Sequence, residues 1–286
     1  MKFRHTLTVA AFALVIAQSP VIAAEKLWSL SGFNQPESVL ADTTNKVLYV
    51  SNINGSPVEA TGNGYISRVS ELGDILDHKW VTGLGSPKGM ASANGMLYVA
   101  DLTFLRVIDI AQGKVVNSVE VANSKMLNDV TVDDEGNVYV TDLLAGGIYR
   151  YADKKITRWF DHEDIPHPNG IQYDKGQLLI GSWGKDIQSD FTTSEAGSVY
   201  RLGLKTKRLT LDEKAEQIGN LDGISVSGEN IITNDWINGN VFEVSSSGTK
   251  LLFNAGKGAA DTSVIDGKLY VPMMMDNRVD VYSLKQ

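Results

Sequence analysis

Six short phrases recur along the chain, and five of them carry a polar side chain at the same place. Each phrase begins with Pro, Leu or Ala, continues with the polar residue and a small or acidic residue, and usually ends on an apolar one. The phrases are PESV at 36–39, PKGM at 87–90, LNDV at 127–130, PNGI at 168–171, LDGI at 221–224 and AADT at 259–262. The residues at the second place, which we call the hub residues, are Glu37, Lys88, Asn128, Asn169, Asp222 and Ala260.

Four hub residues offer oxygen atoms that a hard cation would accept. Glu37 and Asp222 supply carboxylates, and Asn128 and Asn169 supply amide oxygens. Ca²⁺ and Mg²⁺ prefer such donors, whereas zinc and copper favour Cys or His, and the sequence has no Cys and no His at these places. A structural alternative is that each Asn or Asp satisfies backbone amides in a turn. Because four oxygen donors share one register, the pattern favours a divalent cation site.

Three further residues are candidates for contact with a substrate. Lys88 would bring an ammonium group to the same place, where it either orients a substrate group or neutralises the acidic residues. Trp183 and Trp236 follow two similar apolar runs and would suit the mouth of a pocket, although packing is the commoner role of tryptophan. The inserts at 54–64 and 184–197 would form either lids or plain surface excursions.

Each phrase is followed by extended segments, which indicates a repeated β-sheet unit. The second segments are KVLYVSN (46–52), MLYVAD (96–101), NVYVTD (137–142), QLLIGSW (177–183), ENIITND (229–235) and KLYVPMM (268–274). The third segments are YISRV (65–69), RVIDI (106–110), GIYRY (147–151), SVYRL (198–202), NVFEV (240–244) and RVDVYSL (278–284). Short alternating runs rich in Val, Ile and Tyr are typical of strands. Four strands in a repeat of about 40–50 residues predict a β-propeller.

The six units predict an all-β protein, a six-bladed β-propeller with four-stranded blades. The first strand of each blade lines the central channel, so the hub residues would converge on the axis. The sixth unit shows no fourth segment after its third. The run KLWSL at 26–30 would supply this outer strand and close the ring from the N-terminus, which removes an open sheet edge.

The first 23 residues predict a signal peptide. Lys2 and Arg4 precede an apolar run at 7–17, and VIA at 21–23 provides a cleavage site. The apolar run is shorter than the roughly 20 residues that span a bilayer. We therefore expect a signal peptide at 1–23, a single domain at 24–286, and a periplasmic or secreted protein. Without the signal peptide the chain has 24 Lys and Arg residues and 34 Asp and Glu residues. This excess of acidic residues predicts no nucleic-acid partner and no membrane partner after cleavage.

Four hub phrases resemble those of the regucalcin/gluconolactonase family, the senescence marker protein superfamily of six-bladed propellers, to which paraoxonases and diisopropyl fluorophosphatase are related. The similar segments are PES at 36–38, LNDVTVDDEGNVYVTD at 127–142, HPNGIQYDKGQLLIGS at 167–182 and NLDGISVSGENIITND at 220–235. The resemblance implies that Glu37, Asn128, Asn169 and Asp222 hold a catalytic divalent cation, most often calcium. It also implies that Asp222 is the general base or nucleophile of lactone opening.

The activity expected from this resemblance is metal-assisted hydrolysis of a small-molecule lactone or ester. Two alternatives stay open: an organophosphate or aryl-ester hydrolase that uses the same cation, and a non-catalytic calcium-stabilised binding propeller. Paraoxonases carry a histidine at the place where this chain has Lys88. Their second, structural calcium would need ligands at Ser38 and Asp129, of which only Asp129 fits. No feature of the sequence predicts whether the protein is a monomer or an oligomer.

Overall fold

The structure, a computed structural model, describes residues 24–284 as six four-stranded antiparallel sheets arranged in a ring. The predicted signal peptide at 1–23 lies outside the described residues. The architecture is the predicted six-bladed β-propeller, with almost no helix. Within residues 24–284, no helix is long and apolar enough to cross a membrane.

In blades one to five the strands follow one another in sequence from the channel to the rim, and in blade six the outer strand comes from the N-terminal side of the ring. Blade one contains β2 (Pro36–Asp42), β3 (Val47–Asn52), β4 (Gly64–Ser70) and β5 (Ile75–Leu84). Blade two contains β6 (Pro87–Ala93), β7 (Met96–Asp101), β8 (Phe104–Asp109) and β9 (Lys114–Glu120). Blade three contains β10 (Leu127–Val132), β11 (Val138–Asp142), β12 (Ile148–Ala152) and β13 (Lys155–Phe160).

The second half of the ring repeats this order with one insert. Blade four contains β14 (Pro168–Asp174), β15 (Gln177–Ser182), β18 (Val199–Gly203) and β19 (Leu209–Leu211), and its insert forms a small hairpin of β16 (Gly184–Lys185) and β17 (Glu195–Ala196). Blade five contains β20 (Leu221–Ser227), β21 (Asn230–Asp235), β22 (Asn240–Ser245) and β23 (Gly248–Asn254). Blade six contains β24 (Ser263–Ile265), β25 (Lys268–Met273), β26 (Arg278–Ser283) and β1 (Glu25–Ser31).

The N-terminal strand closes the ring as predicted. Strand β1 pairs antiparallel with β26 as the outer strand of blade six, with Lys26 opposite Tyr282 and Leu30 opposite Val279. Two ends of the chain therefore share one sheet, so blade six forms only when residues far apart in sequence meet. This pairing covers an edge that would otherwise be open.

The core consists of apolar layers between neighbouring blades. Ile66 of blade one packs with Leu97 and Val99 of blade two, and Ile148 of blade three packs with Ile180 of blade four. All five side chains are fully buried. Burial of each such side chain contributes about 1.5–3 kcal/mol, so the layers fix the blades rigidly around the channel.

Blades four and six depart in detail from the repeat. The inner strand of blade six is only Ser263–Ile265, and the predicted phrase at 259–262 is attached by isolated bridges, Ala259 with Met273 and Ser38 with Asp261. The outer strand of blade four, Leu209–Leu211, has no apolar run that would predict it. A single 3-10 turn at Glu213–Ala215 follows it.

Candidate functional site

A β-bulge positions the hub residue in each of the first five blades. In blade one the pairing runs from Pro36 opposite Asn52 to Val39 opposite Val50, so two residues oppose one. The same shift occurs at the hub residue of blades two to five. A bulge bends the strand and re-aims a side chain, and here it directs the hub side chains to a shared cavity.

The residue opposite the bulge repairs the interrupted ladder in three blades. Its side chain accepts a hydrogen bond from the backbone N–H of the residue after the hub residue. The pairs are Ser51 Oγ with Ser38 at 2.9 Å, Thr141 Oγ1 with Asp129 at 3.0 Å and Asn234 Oδ1 with Gly223 at 3.1 Å. A buried N–H without a partner costs about 1–3 kcal/mol, so these polar residues of the second strands stabilise the bulges.

Glycine follows the hub residue in three blades because the inner strands approach one another closely. A Cβ atom at Gly170 would overlap the carbonyl oxygen of Asp222, and one at Gly223 would overlap the backbone nitrogen of Thr262. A Cβ atom at Gly89 would overlap the Asp129 carboxylate. The lack of a side chain at these places therefore lets neighbouring hub residues come within hydrogen-bonding distance.

The hub residues of five blades line one cavity. They are Glu37, Lys88, Asn128, Asn169 and Asp222, and all five are buried. Three of them form a row: Asn128 Nδ2 donates to Asn169 Oδ1, and Asn169 Nδ2 donates to Asp222 Oδ1 at 2.8 Å. Four oxygen-bearing side chains from four blades thus lie around the same space.

Two of these oxygens have no hydrogen-bond partner although they are buried. They are Glu37 Oε2 and Asn128 Oδ1. An unpartnered buried oxygen is costly, and the two oxygens belong to the donor set that a hard cation accepts. Among residues 24–284, no group of three or more His, Cys, Asp and Glu side chains could hold a metal ion. Any cation here would therefore need the amide oxygens as well as the carboxylates.

The hub brings several carboxyl groups together in a buried space. Burial, and then the neighbouring Asp222 and Asp261, hold the pKa of Glu37 well above its usual value. Burial and the charge of Asp261 raise the pKa of Asp222 to about 8. Burial likewise raises the pKa of Asp261 to about 7, although a hydrogen bond from Ser38 opposes this. The buried carboxyl groups thus repel one another, and a positive charge among them would relieve the repulsion.

Lys88 is held by neutral oxygens rather than by a carboxylate. Its Nζ donates to Pro57 O at 2.9 Å, to Ser86 O at 3.1 Å and to Ser86 Oγ at 2.8 Å. Burial lowers the pKa of Lys88 to about 8, against the raising influence of Glu37, Asp101 and Asp222. The three ammonium protons thus tie the 54–64 insert to blade two, and contact of Lys88 with a substrate stays a prediction.

Two acidic residues that directly follow hub residues, Asp129 and Asp261, have hydrogen-bond partners of their own. The Asp129 carboxylate accepts hydrogen bonds from the backbone N–H groups of Val130 and Ile171, both at 2.9 Å. Asp261 accepts one from Ser38 Oγ at 2.5 Å. These contacts link blade three to blade four and blade six to blade one.

The aromatic residues Trp183 and Trp236 both line the cavity; their place at the mouth of a pocket stays a prediction. Their ring centroids are 6.1 Å apart. A third aromatic residue, Phe191, lies 6.3 Å from Trp183, and its carbonyl oxygen accepts a hydrogen bond from Trp183 Nε1 at 2.8 Å. Sequence reasoning missed Phe191, although it is a single aromatic residue in the otherwise mostly polar 184–197 insert.

The comparisons with known proteins support the fold. No protein-family model matches the sequence, and no curated protein matches it. Among solved structures, the chain is similar to a Streptogramin B lyase (TM-score 0.62, 11% identity, 90% of this chain and 97% of that one). It is also similar to a catalytically inactive histidine-to-alanine variant of virginiamycin B lyase from Staphylococcus aureus with Quinupristin (TM-score 0.59, 15% identity, 90% and 99%). A chain of a Nidogen/Laminin complex is similar as well (TM-score 0.61, 13% identity, 74% and 83%). The lyases are six-bladed propellers, and at these identities the likeness establishes a shared fold only.

Proposed function

We propose that this protein is an exported hydrolase that depends on a divalent cation, with calcium as the cation, and that opens a lactone or a related ester at the end of the propeller channel. One observation carries the proposal: four oxygen-bearing residues from four blades line one cavity, and two of their oxygens are buried with no partner. The residues that would hold the cation are Glu37, Asn128, Asn169 and Asp222.

Such a cation, when bound, supplies Lewis-acid polarisation of a carbonyl group and stabilisation of the developing oxyanion. The chain itself supplies the base or nucleophile. Asn169 Nδ2 fixes one oxygen of Asp222, which leaves the other with one of two roles. It accepts a proton as water adds to the carbonyl carbon, or it attacks that carbon itself, which breaks the ring C–O bond, releases the alcohol end and leaves an anhydride that water then cleaves. Single turnover in ¹⁸O-labelled water tests direct attack, because the label enters the Asp222 carboxylate only if water cleaves such an anhydride at the Asp222 carbon.

The lyases with a similar fold suggest a different reaction, and one observation argues against it. In one of these lyases, replacement of a histidine by alanine leaves the protein catalytically inactive. In the present chain, the cavity that the described residues form is lined by no histidine. Hydrolysis by a carboxylate is therefore the chemistry that these lining residues favour.

The test combines cation binding with turnover. Chelator-treated protein is titrated with Ca²⁺, Mg²⁺ and Mn²⁺ by calorimetry and then assayed on δ-valerolactone, phenyl acetate and a phosphotriester. We expect one bound ion, lactone hydrolysis that requires it, and a loss of about a hundredfold or more in kcat for Asp222→Asn. The exposed variant Asp109→Asn removes a carboxylate elsewhere and should keep full activity.

Each other result selects a different function. Turnover of the phosphotriester or aryl ester in preference to the lactone would establish the alternative hydrolase. Tight ion binding without any turnover would leave a calcium-stabilised binding propeller. Failure to bind an ion at this site, or activity that survives Asp222→Asn, would overturn the proposal.

A further inference from the structure

In every blade an apolar residue directly follows the second strand. These residues, which we call the collar residues, are Ile53, Leu102, Leu143, Trp183, Trp236 and Met274. The repeat unit therefore has a second recurring position besides that of the hub residue. Each blade with a polar hub residue also has an apolar residue directly after its second strand.

Strand pairing puts the two places at the same end of each blade. In blade four, Pro168 at the start of the inner strand lies opposite Ser182 at the end of the second strand. Asn169 of the hub follows Pro168 and Trp183 of the collar follows Ser182, so both lie near this end of the blade. In five blades the backbone N–H of the collar residue also donates to the carbonyl oxygen two residues before the hub residue. The pairs are Ile53 with Gln35, Leu143 with Met126, Trp183 with His167, Trp236 with Asn220 and Met274 with Gly258.

The collar forms most of the cavity wall next to the hub. Five of its six members line the cavity, Leu102 being the exception, and Pro57, Met126 and Phe191 add further apolar surface. The tryptophans come from blades four and five, which also supply Asn169 and Asp222. The aromatic part of the wall therefore lies on the side of the cavity that carries the proposed catalytic carboxylate.

Phe191 reaches this aromatic side from the 184–197 insert. Its backbone has φ of +66°, a left-handed conformation that is rare for a bulky side chain. Two hydrogen bonds hold it there: its N–H donates to Gln188 O at 2.9 Å, and its carbonyl accepts from Trp183 Nε1. Strained residues persist where the surroundings fix them and are concentrated at ligand sites.

We propose that the substrate carries a hydrophobic substituent on the lactone or ester close to the reacting ester group, an alkyl chain or an aryl group, and that Phe191, Trp183 and Trp236 bind it. This inference rests on the proposed function for the reaction, and on the collar for the substrate class. A polyhydroxylated sugar lactone would have to bury hydroxyl groups against this wall without hydrogen-bond partners, which is unfavourable. Phe191 and Trp236 are then specificity-determining residues.

Matched six-membered lactones test the substrate class. We expect kcat/KM for δ-decalactone, which carries a pentyl chain, to exceed that for glucono-δ-lactone by at least about tenfold. Phe191→Ala should lower kcat/KM for δ-decalactone about fivefold to tenfold, chiefly through KM, and should lower that for unsubstituted δ-valerolactone by a clearly smaller factor. Phe104→Ala, a half-buried phenylalanine that does not line the cavity, is the matched control.

A binding measurement separates this inference from the proposed reaction. The lactam analogue of δ-decalactone is not hydrolysed, and its binding is followed by tryptophan fluorescence in wild type, Phe191→Ala and Trp236→Phe. Lactam binding that weakens in Phe191→Ala, in a protein that hydrolyses no lactone, would support the hydrophobic site and remove the hydrolase proposal. Hydrolysis of glucono-δ-lactone as fast as δ-decalactone, with no effect of Phe191→Ala, would overturn the hydrophobic substituent while the hydrolase stands.

Discussion

Asn169 Nδ2 lies 2.8 Å from Asp222 Oδ1 and thereby joins the hub of blade four to that of blade five. The same nitrogen also donates to Leu221 O at 3.2 Å. Both donor protons of the amide are thus used on blade five, and Oδ1 is turned toward Asn128. One side chain therefore orients the carboxylate of its neighbour and presents its own oxygen to the row of proposed cation ligands.

Replacement of this amide by a carboxylate should make stability depend on calcium. Asn169→Asp loses the donors to Asp222 and Leu221 and places a negative charge beside Asp222. In chelator we expect the free energy of unfolding to fall by about 2–4 kcal/mol. In excess Ca²⁺ the loss should shrink, because a bound cation offsets the added charge. Urea unfolding followed by circular dichroism, with and without calcium, measures both values.

Asn220→Asp is the matched control for this experiment. Asn220 Nδ2 is also buried and donates to Trp183 O at 2.7 Å and to Thr193 Oγ1 at 2.8 Å, but it is not a hub residue. Its variant should lose stability that calcium does not restore. If calcium restores both variants equally, or neither, Asn169 does not face a cation.

Loss of the Lys88 ammonium should loosen the 54–64 insert. In Lys88→Met, Pro57 O and Ser86 Oγ lose their donor, and we expect the free energy of unfolding to fall by about 2 kcal/mol. Limited proteolysis within the insert should become faster, since the bond from Lys88 Nζ to Pro57 O is one of the contacts that hold it, alongside that of Thr61 with Gly85 O. Lys79→Met, an exposed lysine, controls for the lost charge. An unchanged cleavage rate together with a raised KM for lactone would instead assign Lys88 to substrate contact.

The repeat made the fold and the converging residues predictable from sequence. The alternating pattern that identifies a strand lies within a few consecutive residues. Six copies of the unit, about 40–50 residues apart, predict a closed ring. The closure of the ring by β1 was predictable in the same way and is confirmed. The convergence of Glu37, Asn128, Asn169 and Asp222 on one cavity follows from the ring geometry together with the repeated bulge at each hub residue. Whether they bind a cation is a chemical prediction that the geometry supports.

Features outside the repeat were not predictable in the same way. Phe191 belongs to an insert with no periodic pattern, and its place depends on a tertiary hydrogen bond to Trp183. The strand Leu209–Leu211 is three residues long, which is too short for an alternation to be recognised. The inner strand of blade six starts late because Asp261 bonds to blade one, through its backbone to Glu37 and its side chain to Ser38, instead of pairing within its own blade.

Glycine after the hub residue should be essential for the spacing of blades four and five. In Gly170→Ala the added methyl group would overlap Asp222 O, and a shift of backbone is the only relief. We expect the free energy of unfolding to fall by about 2–3 kcal/mol and the cation affinity to fall with it, as Asp222 moves. Gly55→Ala brings the added group against the Thr61 side chain rather than against backbone, so it should cost less stability and leave the cation affinity unchanged. A fully stable Gly170→Ala protein with normal cation affinity would contradict the close approach.

The closure of the ring should depend on pH through Asp280. Lys26 Nζ and Arg278 Nε lie 2.6 Å and 3.0 Å from its carboxylate oxygens, and Ser29 Oγ also donates to it. Burial alone would raise the pKa of Asp280, but the hydrogen bonds from Arg278, Lys26 and Ser29 outweigh it and hold the pKa below its usual value. The carboxylate therefore stabilises the fold above the unfolded pKa of about 3.9, and this contribution is lost as pH falls through the folded pKa.

Asp280→Asn should accordingly lower the free energy of unfolding by about 2 kcal/mol at pH 7, because Lys26 and Arg278 lose a buried charged partner. The difference from wild type should shrink progressively below about pH 4, because the unfolded wild-type chain takes up a proton on Asp280 there while the folded carboxylate still resists it. Urea unfolding of both proteins between pH 7 and pH 3 measures this convergence. Asp276→Asn, which removes the more exposed partner of Arg278 outside the β1 pairing, should cost less at pH 7. A difference for Asp280→Asn that stays constant down to pH 3 would show that the strand is held by its backbone pairing and packing, with no contribution from the ion pairs.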